Sequence, residues 1–163
     1  SRLETPNGVE RADVRSAAEM REIAVRLARE ADVFFSVAAV ADYTPAAPAS
    51  QKIKKGDPRQ NLELVGTADI VAEVAAMPDG PFTVGFAAET EHLKTHALEK
   101  LSRKSLDMIA ANRVGLEGGG FESEDNEILL LTADREIHLG TGSKMELARL
   151  LIREVANSLR EGE

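Results

Sequence analysis

Phe82-Thr83-Val84-Gly85-Phe86-Ala87, the polar–apolar stretch from Glu91 to Lys104, and Leu106-Asp107-Met108-Ile109-Ala110-Ala111 together decide the fold class. The first segment follows the turn Pro78-Asp79-Gly80-Pro81 and is short, with β-branched and aromatic residues. It reads as a strand buried on both faces, as in a parallel sheet. In the second segment Leu93, Ala97, Leu98 and Leu101 recur at helical spacing and form one apolar stripe. The third is again strand-sized and apolar. Strand, helix, strand is the crossover unit that joins parallel neighbours.

The same grammar extends in both directions. Upstream, Ser16-Ala17-Ala18-Glu19 fits a capping box, and Met20, Ile23, Ala24 and Leu27 continue it as a helix over 17–30. Asp32 to Ala38 reads as another strand buried on both faces, Ala39 to Pro48 as a loop, and Leu62 to Val65 as a short strand. Gln51 to Gln60 is polar and basic, with Gly56 and Pro58, and is expected to be an exposed, mobile lysine loop. Thr67 is expected to cap a helix over Ala68 to Met77. Downstream, Gly118-Gly119-Gly120 breaks the chain, and strands 127–132 and 136–139 form a hairpin around Ala133-Asp134-Arg135. Ser143-Lys144-Met145-Glu146 is a second capping box, opening a helix to about 159.

The expected fold is therefore α/β: one domain over 1–163, with a doubly wound, Rossmann-like, mostly parallel sheet and a C-terminal antiparallel hairpin. Such sheets bind ligands beyond the C-terminal ends of their strands. That directs attention to Ala39–Tyr43, Ala87–Thr90 and Asn112.

Composition narrows the function. The 163 residues are 43% hydrophobic, enough for a packed core, and carry a net charge of −8. A globally acidic chain is poorly suited to general nucleic-acid binding, which relies on Lys and Arg to neutralise phosphates. With no cysteine, disulfides, thiolate metal sites and cysteine nucleophiles are excluded. No apolar run approaches the ~20 residues of a membrane span, and Ser1 to Gly8 shows no basic-then-apolar leader. The expectation is a cytoplasmic protein without membrane or nucleic-acid partners.

Two basic clusters stand out: Lys52-Ile53-Lys54-Lys55, and Lys100, Arg103 and Lys104 on one helix. Lys100 and Lys104 are four residues apart and share a face. They read either as a solvated surface or as a site for a polyphosphate, to which a compact ammonium is suited. Asp42 follows a strand end. It is either a turn residue or a carboxylate for a ribose hydroxyl or a metal on a triphosphate. Phe86 is either core or ligand wall. His92 and His96 form an i,i+4 pair without the acidic and third-ligand pattern of a metal site. No dinucleotide glycine fingerprint, phosphate-loop lysine motif or nucleophile elbow is present.

Ala38-Ala39-Val40-Ala41-Asp42-Tyr43, Lys52-Ile53-Lys54-Lys55 and Gly85-Phe86-Ala87-Ala88-Glu89-Thr90 resemble phosphopantothenate–cysteine ligase, the synthetase half of the bifunctional bacterial coenzyme A biosynthesis flavoprotein. Glu99 to Asp107, Ala111-Asn112, and Gly120-Phe121 followed by Ser123, Asp125 and Asn126 extend the resemblance in register. It implies a CTP-dependent ligase that activates the carboxylate of 4′-phosphopantothenate as an acyl-cytidylate, releasing pyrophosphate; the amine of L-cysteine then displaces CMP. Carried over by position, the implied nucleotide contacts are Ser36, Val37, Ala38, Asp42, Lys52, Ala68, Asp69, Ile70, Val71, Phe86, Lys100 and Lys104. Lys52 is implied as the catalytic residue and Asp42 as the protein ligand of a Mg2+ ion bound with CTP. A homodimer is also implied, as is fusion to or association with a flavin-dependent phosphopantothenoylcysteine decarboxylase, with no flavin held by this segment. The family's domain begins earlier, with a Gly-rich strand and a segment that closes over the acyl-cytidylate, so the chain is expected to be the C-terminal part of that domain. The family often has Pro where this chain has Ala68, and Asp where it has Arg113. A catalytically incomplete nucleotide-binding module and a generic α/β interaction domain are the alternative readings.

Overall fold

A computed structural model describes residues 3–54, 60–89, 92–113 and 125–161. Helix α1 (Ala17–Ala28) leads to β1 (Val33–Ser36), and the ribbon strands β2 (Tyr43–Pro45) and β3 (Leu64–Gly66) precede α2 (Ile70–Ala75). Then come β4 (Phe82–Glu89), α3 (Leu93–Arg103), β5 (Met108–Arg113), β6 (Asp125–Leu131), β7 (Glu136–Ser143) and α4 (Lys144–Glu161). The main sheet has the order β1-β4-β5-β6-β7. β1, β4 and β5 are mutually parallel, β6 is antiparallel to β5, and β7 is antiparallel to β6. Only β6 is therefore reversed, and the α/β, mostly parallel sheet with an antiparallel hairpin stands as expected.

The two faces of the sheet bury separate cores, as the period-2 alternation of strand side chains requires. Val71, Ala97 and Leu101 pack with Ala87, Ile109, Ala111, Leu129 and Leu131 on the α2–α3 side. Leu147, Leu151 and Val155 of α4 pack with Val84, Met108, Ala110, Ile128 and Leu130 on the other. Helix ends follow local chemistry. Glu146 N–H donates to Ser143 Oγ at 3.3 Å, and Glu146 Oε2 accepts from Ser143 N–H at 3.1 Å, which closes the capping box of α4. At α1 the Ser16 hydroxyl accepts from Glu19 N–H, while the Glu19 carboxylate reaches Arg15 N–H instead of Ser16. Helix α3 ends at Arg103 with Lys104 as its C-cap; Ser105 takes the left-handed conformation (φ 53°) and Leu106 N–H returns to Leu101 O at 3.0 Å.

Four expectations need correction. β1 is not buried on both faces: none of its four residues is fully buried and Phe35 is 36% exposed, and the strand lies at the sheet edge with β4 its only neighbour among the described residues. The apolar pattern marks a strand able to be covered without fixing its lateral place. The stretch 39–48 is not all loop, because Tyr43–Pro45 pairs antiparallel with Leu64–Gly66. Thr67 does not cap α2: its hydroxyl donates to Ala41 O at 2.5 Å, and the cap is Asp69, whose carboxylate accepts from Ala72 N–H at 3.3 Å. The helix stops at Ala75 instead of reaching Met77, because Pro78 disfavours helical backbone in the residue before it. Of the lysine loop, residues 51–54 and 60 are exposed, while 55–59 lie outside the described residues, as does Gly118–Gly120.

Candidate functional site: a cleft at the strand ends

One cleft of about 780 Å³ opens along the C-terminal ends of β1, β4 and β5, within the range of small-molecule sites. Thr67 sets one side of its mouth. Its N–H donates to Asp42 O at 2.9 Å and its hydroxyl to Ala41 O, tying the segment after β1 to the entry of α2. Asp42 and the 68–71 turn thereby face the same space.

Helix α3 supplies the cations. Lys100 Nζ donates to Phe86 O at 2.6 Å, anchoring the ammonium against the backbone of β4 near its end. Lys104, one turn later, has a largely buried side chain and lies 2.8 Å from Asp69 Oδ2. Burial pushes the Asp69 carboxyl up, but hydrogen bonds from Lys104 and Ala72 N–H and the charges of Lys104 and Arg103 outweigh it, so the group sits below its usual value. The wall therefore holds two ammonium groups on one helical face beside the Asp69 carboxylate.

Eleven of the twelve residues implied as nucleotide contacts line this cleft: Ser36, Val37, Ala38, Asp42, Ala68, Asp69, Ile70, Val71, Phe86, Lys100 and Lys104. Lys52 does not. It is exposed, in the excursion carried by the β2–β3 ribbon, whose base joins the cleft mouth at Asp42 and Thr67. Phe86 is both ligand wall and partial core, since it lines the cleft and packs on the α4-side cluster. His92 lies in the left-handed region at the start of α3, with its ring 6.0 Å from that of His96. Among the described residues no group of three His, Cys, Asp or Glu side chains is placed to hold a metal.

Sequence reading gave Lys144 no place in the site and counted Asn112, at a strand end, and Asn126 only among the residues that carry the resemblance, without assigning them as contacts; all three line the cleft. The usable signal was the hairpin. Because β6 is reversed, its first residues lie at the same edge of the sheet as the last residues of β5, and β7 delivers the start of α4 there too.

The structure is thus an α/β domain with a cleft at its strand ends walled in part by two lysines. Residues 1–159 match the family model described as the DNA/pantothenate metabolism flavoprotein C-terminal domain, and the chain belongs to that family. It is 51% identical over 149 residues to the coenzyme A biosynthesis bifunctional protein CoaBC of Vibrio parahaemolyticus, covering 90% of this chain and 37% of that one. It is 40% identical over 164 residues to CoaBC of Escherichia coli K12, covering 98% and 40%. The chain thus spans about two fifths of these relatives. The crystal structure of the C-terminal domain of CoaBC superimposes with a TM-score of 0.79 at 29% identity, covering 98% of this chain and 71% of that one. No helix among the described residues is long and apolar enough to cross a membrane.

Proposed function

We propose that the chain is the nucleotide-handling part of a phosphopantothenate–cysteine ligase acting in coenzyme A biosynthesis. The carboxylate of 4′-phosphopantothenate attacks the α-phosphorus of CTP, the bond to pyrophosphate breaks, and an acyl-cytidylate results. The amine of L-cysteine then attacks the acyl carbon, loses a proton, and expels CMP. The observation that carries this reading is the convergence of eleven of the twelve family-implied contacts on one cleft walled by Lys100 and Lys104.

Each group has a task the chemistry requires. Lys100 and Lys104 supply fixed positive charge for the phosphates, and an arriving phosphate competes with Asp69 for Lys104. Backbone groups of Ser36 to Ala38 offer short-range donors and acceptors to the edge of a pyrimidine. Lys52, brought inward by the ribbon, offsets negative charge accumulating at the α-phosphate in the transition state. Asp42 is a cleft carboxylate suited to Mg2+. This ion accepts one or two carboxylates with the rest of its shell from phosphate and water, so the lack of a three-residue cluster among the described residues is compatible with it. When bound, the ion shields the triphosphate.

The relatives' name, bifunctional protein, and the chain's share of their length support a companion activity elsewhere on the polypeptide, the flavin-dependent decarboxylase. The test is pyrophosphate release by the natural polypeptide containing these residues, with CTP, 4′-phosphopantothenate and L-cysteine, and with ATP in place of CTP. Release that requires CTP and the acid supports the ligase. CTP binding without release leaves a nucleotide-binding module, and no discrimination between CTP and ATP counts against the assignment.

A further inference from the structure

We infer that Asn7-Gly8 is a self-modifying site: the Gly8 backbone nitrogen attacks the Asn7 side-chain amide, ammonia leaves, and the resulting succinimide opens with water to aspartate and isoaspartate. The site lies outside the cleft and stands whether or not the ligase reading does. Both residues are exposed, in a turn of the segment that precedes α1. Among the described residues the turn is closed by one backbone hydrogen bond, from Val9 N–H to Pro6 O at 3.3 Å, longer than the usual amide–carbonyl contact. Gly8 has φ 79°, and nothing lies within 4 Å of the place a Cβ would take. Among the described residues neither the Gly8 N–H nor the Asn7 amide has a hydrogen-bond partner. The attacking and the attacked groups are therefore both free.

The step balances without a cofactor. The Gly8 N–H gives its proton to solvent base, the bond from that nitrogen to Asn7 Cγ forms, the Cγ–Nδ2 bond breaks, and Nδ2 leaves as ammonia after taking a proton from water. Water then adds to one of the two ring carbonyls. Breaking the new bond at Cγ leaves an aspartyl side chain. Breaking the bond between the Asn7 backbone carbonyl carbon and the Gly8 nitrogen routes the chain through the side chain and leaves an isoaspartyl link. Nothing is oxidised or reduced. Either product adds a carboxylate to an already acidic chain. Glycine favours the attack, because it has no Cβ to crowd the nitrogen and its wide φ/ψ freedom lets the nitrogen swing toward Cγ.

The other asparagines lack these conditions. Asn61 is followed by Leu62, whose side chain crowds the nitrogen. Asn112 and Asn126 lie in β5 and β6 and Asn157 in α4, where regular hydrogen bonding holds the backbone. The sharpest contrast is Asp79-Gly80, which forms the same ring by losing water instead of ammonia. There the Gly80 N–H donates to Met77 O at 3.2 Å, and a Cβ on Gly80 would come within 2.9 Å of Met77 Cβ. Asp79 itself is held at φ 52°. The nitrogen is occupied and the backbone has no room to turn. The fold thus leaves this chemistry open at 7–8 and closes it at 79–80.

The experiment incubates the natural polypeptide containing this chain at physiological temperature in mildly alkaline buffer, both folded and in urea. Peptides are mapped by mass spectrometry over time, and isoaspartate is read by labelling with an isoaspartyl carboxyl methyltransferase. In the folded protein Asn7 is expected to convert first of the five asparagines, to both products and at close to its rate in urea. Asp79 should isomerise in urea and stay intact in the folded protein. Gly8→Ala should slow conversion by about tenfold or more and leave the thermal midpoint level, because Gly8 is exposed in open space. Asn7 that stays intact in the folded protein while converting in urea overturns the inference. So does earlier conversion at Asn61 or Asn157, or a rate indifferent to Gly8→Ala. Asp79 isomerising as fast in the folded protein as in urea would overturn the fold's choice between the two sites.

Discussion

Lys104 Nζ lies 2.8 Å from Asp69 Oδ2, and the same carboxylate caps α2 by accepting from Ala72 N–H. One contact thus joins the last turn of α3 to the first turn of α2 across the mouth of the cleft. Burial of Asp69 raises its pKa, but the Lys104 and Ala72 hydrogen bonds and the nearby cations lower it further, leaving it depressed. A carboxyl depressed in the folded state favours folding above its unfolded value, about 4, and this contribution is lost as pH falls through that value to the lower folded one. Asp69→Asn retains a good cap and removes the charge. The variant is expected to be less stable than the parent at pH 7, the gap narrowing as pH falls below the unfolded carboxyl value of about 4, as read by urea midpoints across that range. A constant difference across that range would show that the ion pair contributes no linkage.

Lys52→Gln is expected to reduce pyrophosphate release by about 10²–10³, the usual effect of removing one transition-state electrostatic contact. The side chain is exposed and does not line the cleft, so stability should change by no more than about 0.5 kcal/mol. Lys54→Gln is the control and should retain most turnover, because the family correspondence falls on the first lysine of the cluster. Single-turnover assays beside thermal melts separate a chemical defect from unfolding. Near-parental turnover in Lys52→Gln would remove this residue from the mechanism.

Assembly is expected to involve the sheet edge. Among the described residues the main sheet has two edge strands, β1 and β7, while β6 is flanked by β5 and β7. The eight-residue strand Glu136–Ser143 pairs only with β6 among the described residues, and its outer side exposes backbone donors and acceptors that proteins generally cover or pair. A dimer mass by light scattering at micromolar concentration is the expected result. A monomer mass would require another cover for this edge.

The sequence was most legible where local chemistry decides the outcome alone. Ser143 and Glu146 close the capping box that starts α4, and the run Phe82 to Ala87, with its β-branched and aromatic residues, forms a strand as its composition favours. Legibility failed where a distant partner decides. Thr67 has the side chain of a cap, yet Ala41, far away in sequence, takes its hydroxyl. Tyr43–Pro45 pairs with residues about twenty positions on, which no local pattern encodes. In the cleft, Asp42, Phe86 and the two lysines were visible by residue type and strand position. Asn126 was quoted only as part of the resemblance, and its place at the cleft follows from the register of β6, which sets Ile128, two residues on, opposite Asn112.

Gly85 provides a last test, of the packing behind the cleft. It pairs with Ser36 on one side and Ile109 on the other, at the centre of the parallel strands. A Cβ added there would come within 2.5 Å of Leu106 Cδ1. Leu106 is itself buried in the α3-side core with Leu101 and Ile109 around it, so its methyl has little room to retreat. Gly85→Ala should therefore overpack the core and cost about 1–3 kcal/mol, although alanine suits a strand backbone better than glycine does. Leu106→Ala alone should cost about 2–5 kcal/mol by leaving a cavity. The double variant places the new methyl where the leucine was, so its cost should fall below the sum of the two by about 1 kcal/mol or more, a coupling expected only of residues in contact. Urea unfolding of the four proteins measures this directly. Strict additivity would mean that the β4–β5 layer yields to the extra carbon without calling on Leu106, and that the small residue at this position is not required by packing.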